Sequence, residues 1–126
     1  MERRRISSGS PYEPIVGFSR AVVAGKHVFV GGTAPVMPDG QELPDDPYAQ
    51  ARRCLEIIVA ALEEAGARPD DVVRTRIYLT STDAFDGVAR AHAEVFGDVR
   101  PASTAVVTKL LDDRWHVEIE AEAMLA

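Results

Sequence analysis

The chain has 126 residues, 46% hydrophobic and 27% charged, with a formal net charge of -6. That length closes one hydrophobic core, so a single domain over residues 1–126 is expected, and an acidic surface whose one dense basic cluster is Arg3, Arg4 and Arg5 argues against nucleic acid as a partner. No run approaches the roughly 18 apolar residues of a membrane span, and no apolar segment follows the basic start to make a signal peptide, so a cytoplasmic setting without membrane contact is expected.

Residues 18–24 (FSRAVVA) and 27–33 (HVFVGGT) are β-rich runs separated by Gly25 and Lys26, the pattern of a tight hairpin. An extra strand near Arg4 to Ser8 can precede them. Residues 35–47 hold four prolines and an Asp39-Gly40 turn signal, which predicts a loop. A helix follows: Asp45 or Asp46 can cap it and Pro47 suits its first position. Ala51, Cys54, Leu55, Ile58, Ala61, Leu62 and Ala65 share one of its faces, and Gly66 ends it.

In residues 72–80, Val73, Thr75, Ile77 and Leu79 alternate with Arg74, Arg76 and Tyr78, which is strand periodicity. A second helix is expected from a Ser81 or Thr82 cap, with Phe85, Val88, His92 and Phe96 along one side and Gly97 as its stop. Two strands close the chain at 103–111 and 116–125. The order β-β-α-β-α-β-β gives helices for one sheet face only, hence a two-layer α+β sandwich with a mixed sheet.

The other sheet face is charged. Glu118, Glu120 and Glu122 alternate with Val117, Ile119, Ala121 and Ala123 on the last strand, and carboxylates at that spacing, roughly 7 Å apart, need cations or water between them. Arg74 and Arg76 can answer them. Such a face is either solvated or a subunit interface with a carboxylate in a cleft at its edge.

Other chemistry is thin. Cys54 is the only cysteine, which removes an intrachain disulfide and a thiolate zinc cluster, and its place on the buried helix face suits packing. His27, His92 and His116 have no ligand spacing, so no metal is expected; His92 suits a hydrogen-bonded core or interface position. The GxSxG elbow, the P-loop and the GxGxxG fingerprint are missing. Gly31-Gly32 suits a bulge or a close approach to the backbone.

The stretches FSRAVVAGKHVFVGGTAPV, AQARRCLEIIVAALEEAGARPDDVV, VRTRIYLT, RPAST and VEIEAEAML resemble the Rid family, the RidA, YjgF or UK114-like proteins, over nearly the whole chain. The resemblance implies a chorismate-mutase-like fold, a homotrimer that packs its open sheet faces together, and clefts between subunits that bind small metabolites without a cofactor. In the deaminase branch, enamines and imines made by pyridoxal-phosphate enzymes are hydrolysed to 2-oxo acids and ammonia. The resemblance implies that a glutamate on the last strand, here Glu118, positions the attacking water, and that an arginine after RPA grips the substrate carboxylate.

That arginine is missing. The branch reads RPARS where this chain reads Arg100-Pro101-Ala102-Ser103-Thr104, so Ser103 stands in its place. The resemblance implies a pocket wall from Phe18, Gly31, Ala89, Ser103 and Ala105, less polar than the deaminase pattern. Losing one partner of a buried charge pair costs about 2–5 kcal/mol, or roughly two to four powers of ten in affinity for an imino acid. Arg20, Arg76 or Arg90 can supply a replacement from another element. The expected function is binding of a small metabolite between subunits without standard 2-imino acid deaminase activity. An enamine or imine hydrolase using Glu118 and an ordered water is the alternative. An endoribonuclease or translation inhibitor is disfavoured by the acidic surface and the absence of an acid/base histidine pair.

Overall fold

A computed structural model describes residues 2–126 as β1 (Arg3–Ile6), β2 (Ala21–Ala24), β3 (His27–Thr33), α1 (Pro47–Glu64), β4 (Val72–Leu79), α2 (Phe85–Phe96), β5 (Ala102–Val107) and β6 (Val117–Met124). The sheet runs β1-β2-β3-β6-β4-β5. Only the β4–β5 pair is parallel, as a strand–helix–strand crossover requires. The sandwich expected from the sequence is present, with both helices on one face.

α1 forms for the reasons its sequence carries: Pro47 opens it, the Asp46 carboxylate accepts from Ala49 N at 3.0 Å, and Gly66 follows at φ +87°. Asp45 is free of the cap and meets His116 Nε2 at 3.0 Å. The α1 stripe of Ala51, Cys54, Leu55, Ile58, Ala61 and Leu62 packs on Val28, Val30, Val117, Ile119 and Ala121. Gln50 is buried in that layer. Its amide donates to the Pro44 and Arg114 carbonyls at 2.8 and 3.0 Å and its oxygen accepts from His116 N at 2.7 Å, tying two loops to the helix.

Several boundaries differ from expectation. β1 begins one residue earlier and ends at Ile6. A π-helical turn, Glu13–Gly17, occupies the approach to β2, which leaves Phe18 outside the strand and 41% exposed. On β4 the buried side chain is Val72 and Val73 faces out. A bulge sets Val72 opposite Ala123 and Arg74 opposite Glu122, so the alternation expected across Val73 is broken. Phe85 opens α2 on its exposed side, and the stripe runs instead through Val88, Ala91 and Phe96. Gly97 follows α2 in a right-handed conformation, where a Cβ would lie 2.6 Å from the Ala93 carbonyl; the left-handed residue there is Arg100, at φ 54°. β5 spans 102–107, because β4, its sole ladder partner, ends at Leu79.

Candidate functional site

Glu118 lies half-buried on the open face of β6, opposite Tyr78 of β4. Beside it the β3 ladder slips: Val30 pairs with Ala121 and Thr33 with Ile119, so three steps on β3 match two on β6. Gly31 and Gly32 fill this bulge. A Cβ at Gly32 would collide with Glu118 Oε2, so glycine there is what lets the carboxylate lie against the backbone. Gly31 was the residue singled out by sequence; the contact belongs to Gly32. The signal was already present in the glycine pair.

Arg20 crosses the same corner. Its Nη2 donates to the Gly32 carbonyl, while its Nε is buried with no partner among the described residues. A buried donor left unmade costs about 1–3 kcal/mol, so it needs a compensating interaction. Glu118 provides one. Burial pushes the Arg20 pKa down and the Glu118 carboxylate opposes that shift. For Glu118, burial pushes the carboxyl pKa up, Arg20 pulls it down and Glu120 adds to the rise. A half-buried carboxylate perturbed by desolvation and one cation is the usual signature of a group that holds a ligand or moves a proton.

The two other candidate arginines are engaged elsewhere. Arg76 Nη1 meets Glu122 at 3.0 Å and Glu120 at 3.9 Å on the open face, where Tyr78 Oη also donates to Glu120. Arg90 stacks its guanidinium 4.0 Å from the Tyr48 ring centroid. Arg20 alone of the three sits beside Glu118.

Phe18 stays apart, at the end of the π-helical turn, and Ser103, Ala105 and Ala89 lie in a second region. Ser103 pairs in register with Thr75 and Ala105 with Ile77, so both point to the helix side of the sheet, opposite to Glu118. Thr75 Oγ1 donates to Ser103 Oγ at 2.8 Å and stands 2.9 Å from His92 Nε2. Ala89 is partly buried one turn before His92 on α2. The sequence alone marks Thr75 only as a strand residue. Two strand spacings of about 4.8 Å and three residues of about 3.4 Å separate Ser103 from the level of Glu118, roughly 14 Å in all and on opposite faces. No small ligand touches both within one chain.

Two open hollows of the isolated chain lie beside Thr80, Lys109 and Asp113, and beside Glu42, Pro44 and Arg114, away from Glu118 and Ser103. The chemistry is the better guide, since both clusters sit on surface that a second copy can cover: all six β5 residues are exposed. Among the described residues no group of three or more His, Cys, Asp or Glu side chains is placed to hold a metal ion. Among them, too, no helix is long and apolar enough to cross a membrane.

Residues 9–125 match the family model described as Endoribonuclease L-PSP. An uncharacterized protein of Streptomyces coelicolor is 41% identical over 95% of this chain and 90% of its own. A RutC family protein of Pyrococcus abyssi is 37% identical over 88% of each. The crystal structure of a Mycobacterium tuberculosis member of the YjgF/YER057c/UK114 family superposes with a TM-score of 0.89 at 44% identity, covering 98% of this chain and all of that one.

Proposed function

The chain belongs to the Endoribonuclease L-PSP family, the YjgF/UK114 or Rid proteins, and on that footing we propose that it binds a small metabolite in clefts between the subunits of a homotrimer and lacks standard 2-imino acid deaminase activity. The separation of Glu118 from Ser103 carries this reading. Two half-sites on opposite faces of one sheet become a pocket when the Glu118 corner of one copy meets the β5 edge of another. The open face favours such packing. Its carboxylates are already answered by Arg76 and Tyr78, which lowers the cost of covering them.

Ser103 is the reason for the missing activity. It offers one neutral hydroxyl where a substrate carboxylate needs a guanidinium fork, and Arg76 and Arg90 have other partners. Arg20 faces Glu118 with its Nη2 committed to Gly32 O, which suits holding the carboxylate in place. The raised pKa of Glu118 favours a second reading, in which the carboxylate activates a water on an enamine or imine held without a carboxylate clamp. An RNA substrate is disfavoured by the net charge of -6 and by His27, His92 and His116 lying on separate elements. A cytoplasmic setting completes the proposal.

The test is ammonia release from imino acids generated in place by an amino acid oxidase, with light scattering to give the oligomer mass. A trimer with no acceleration over buffer, and acceleration gained by Ser103→Arg, is the expected result. Acceleration by the unaltered protein defeats it. If Glu118→Ala abolishes that acceleration, the hydrolase reading takes its place.

A further inference from the structure

We propose that Ser103, Thr75 and His92 form a polarised hydrogen-bond relay that presents the Ser103 hydroxyl proton to an uncharged acceptor, the carbonyl oxygen of a neutral amide- or ester-like ligand group. This rests on the inter-subunit pocket, of which Ser103 forms one wall.

In the proposed relay the protons run outward, from His92 through Thr75 to Ser103. The Thr75 side chain is fully buried, so its one hydroxyl proton and its oxygen must find partners inside the chain. That proton goes to Ser103 Oγ at 2.8 Å. With the proton so directed, His92 Nε2, at 2.9 Å, donates to the Thr75 oxygen and the ring takes its Nε2–H form; the reverse direction needs an Nδ1–H ring. The Ser103 oxygen is filled from behind, and its own proton is the one donor in the relay left uncommitted. Ser103 is exposed on the edge strand. A hydroxyl whose oxygen accepts a bond is also a stronger donor, so the relay sharpens the group it presents.

The relay carries no charge to its outer end. Burial holds the His92 ring below the ordinary imidazole pKa and is the one cause acting on it. On α2, Arg90 is stacked on Tyr48, and Glu94 accepts from Tyr48 and from Arg52 of α1. Arg74 and Arg76 of β4 stand on the opposite sheet face, and β5 has no ionisable residue. Within its own chain a carboxylate at Ser103 therefore meets no countercharge, whereas a carbonyl finds the single neutral donor it needs.

Pyruvamide and pyruvate differ little in shape and by one charge, and binding of each to the intact protein can be followed through the imidazole nitrogen resonances of His92. Free protein is expected to show the Nε2–H form, and pyruvamide to shift the ring signal at concentrations where pyruvate leaves it unmoved. Ser103→Ala should weaken pyruvamide roughly fivefold, the loss of one net hydrogen bond, without changing pyruvate. Thr75→Val keeps the shape and the Ser103 hydroxyl but disconnects the ring, so pyruvamide should still bind while its effect on His92 disappears. An Nδ1–H ring in free protein overturns the relay, as does equal binding of the two probes or a His92 response that survives Thr75→Val. If neither probe binds at tens of millimolar while the oligomer is intact, the pocket fails and the relay with it.

Discussion

The two faces of β6 make opposite use of one alternating sequence. Val117, Ile119, Ala121 and Ala123 are at most 2% exposed beneath α1, while Glu118, Glu120 and Glu122 face outward among Arg76, Tyr78 and Gly32. The covered face is finished within one chain and draws its stability from apolar area removed from water. The open face is only half-buried and already neutralised. Its contacts add little to the single chain, since exposed ion pairs contribute about 0.2–1 kcal/mol.

The contrast is sharpest for neighbours. Ile119→Ala should destabilise by about 2–5 kcal/mol in chemical denaturation, whereas Glu120→Gln one residue on should cost less than about 1 kcal/mol. Similar losses at both positions would erase the distinction between the faces. Gln50→Leu tests whether polar groups can matter as much on the covered side. It strands the Pro44 and Arg114 carbonyls and the His116 amide, and should cost about 2–3 kcal/mol with loosening of residues 35–47 and 108–116, seen as faster amide exchange there.

The smallest expected effect is on the open face. Arg20→Gln removes the cation that holds Glu118 down, so the carboxyl pKa should rise further above 4.5 in an NMR titration. A carboxyl whose folded pKa is raised keeps its favourable contribution below the unfolded pKa and loses it as pH rises through the folded value. The variant should thus lose stability more steeply than the parent on going from acid to neutral pH. An unchanged Glu118 titration would detach Arg20 from the site.

The helices, the hairpin and the two-faced last strand were legible because local rules govern them: Pro47 and Asp46 open α1 whatever lies around it, and Gly25 turns β2 into β3. The outward turn of Val73 was hidden, because its bulge exists only once β4 lies against Ala123 and Glu122. The glycine pair announced a close approach, but which glycine met Glu118 depended on a slip in the β3–β6 ladder. Ser103 could be recognised as a missing guanidinium from its neighbours in sequence. Its hydrogen bond to Thr75 could not, because the parallel register of β5 on β4 is set by a crossover through α2 and leaves no local mark. The place of Arg20 was one of three open choices for the same reason, since what Arg20, Arg76 and Arg90 touch is set by the β3 bulge, the β4–β6 register and the packing of α1 on α2, none of which is a local property of the sequence.

The order β3-β6-β4 carries a kinetic consequence. β1, β2 and β3 form an antiparallel ladder and β4 with β5 a parallel one, and neither touches the other edge to edge. β6 follows all of them along the chain and lies between them. Its pairing with β3 joins residues as distant as His27 and Met124, a closure that costs more loop entropy than its pairing with β4, which joins Leu79 to Val117. Without β6 both ladders have a bare edge, on β3 and on β4, where a strand from a neighbouring chain would fit as well as the chain's own. Refolding yield should therefore fall with protein concentration even though the finished sheet is secure.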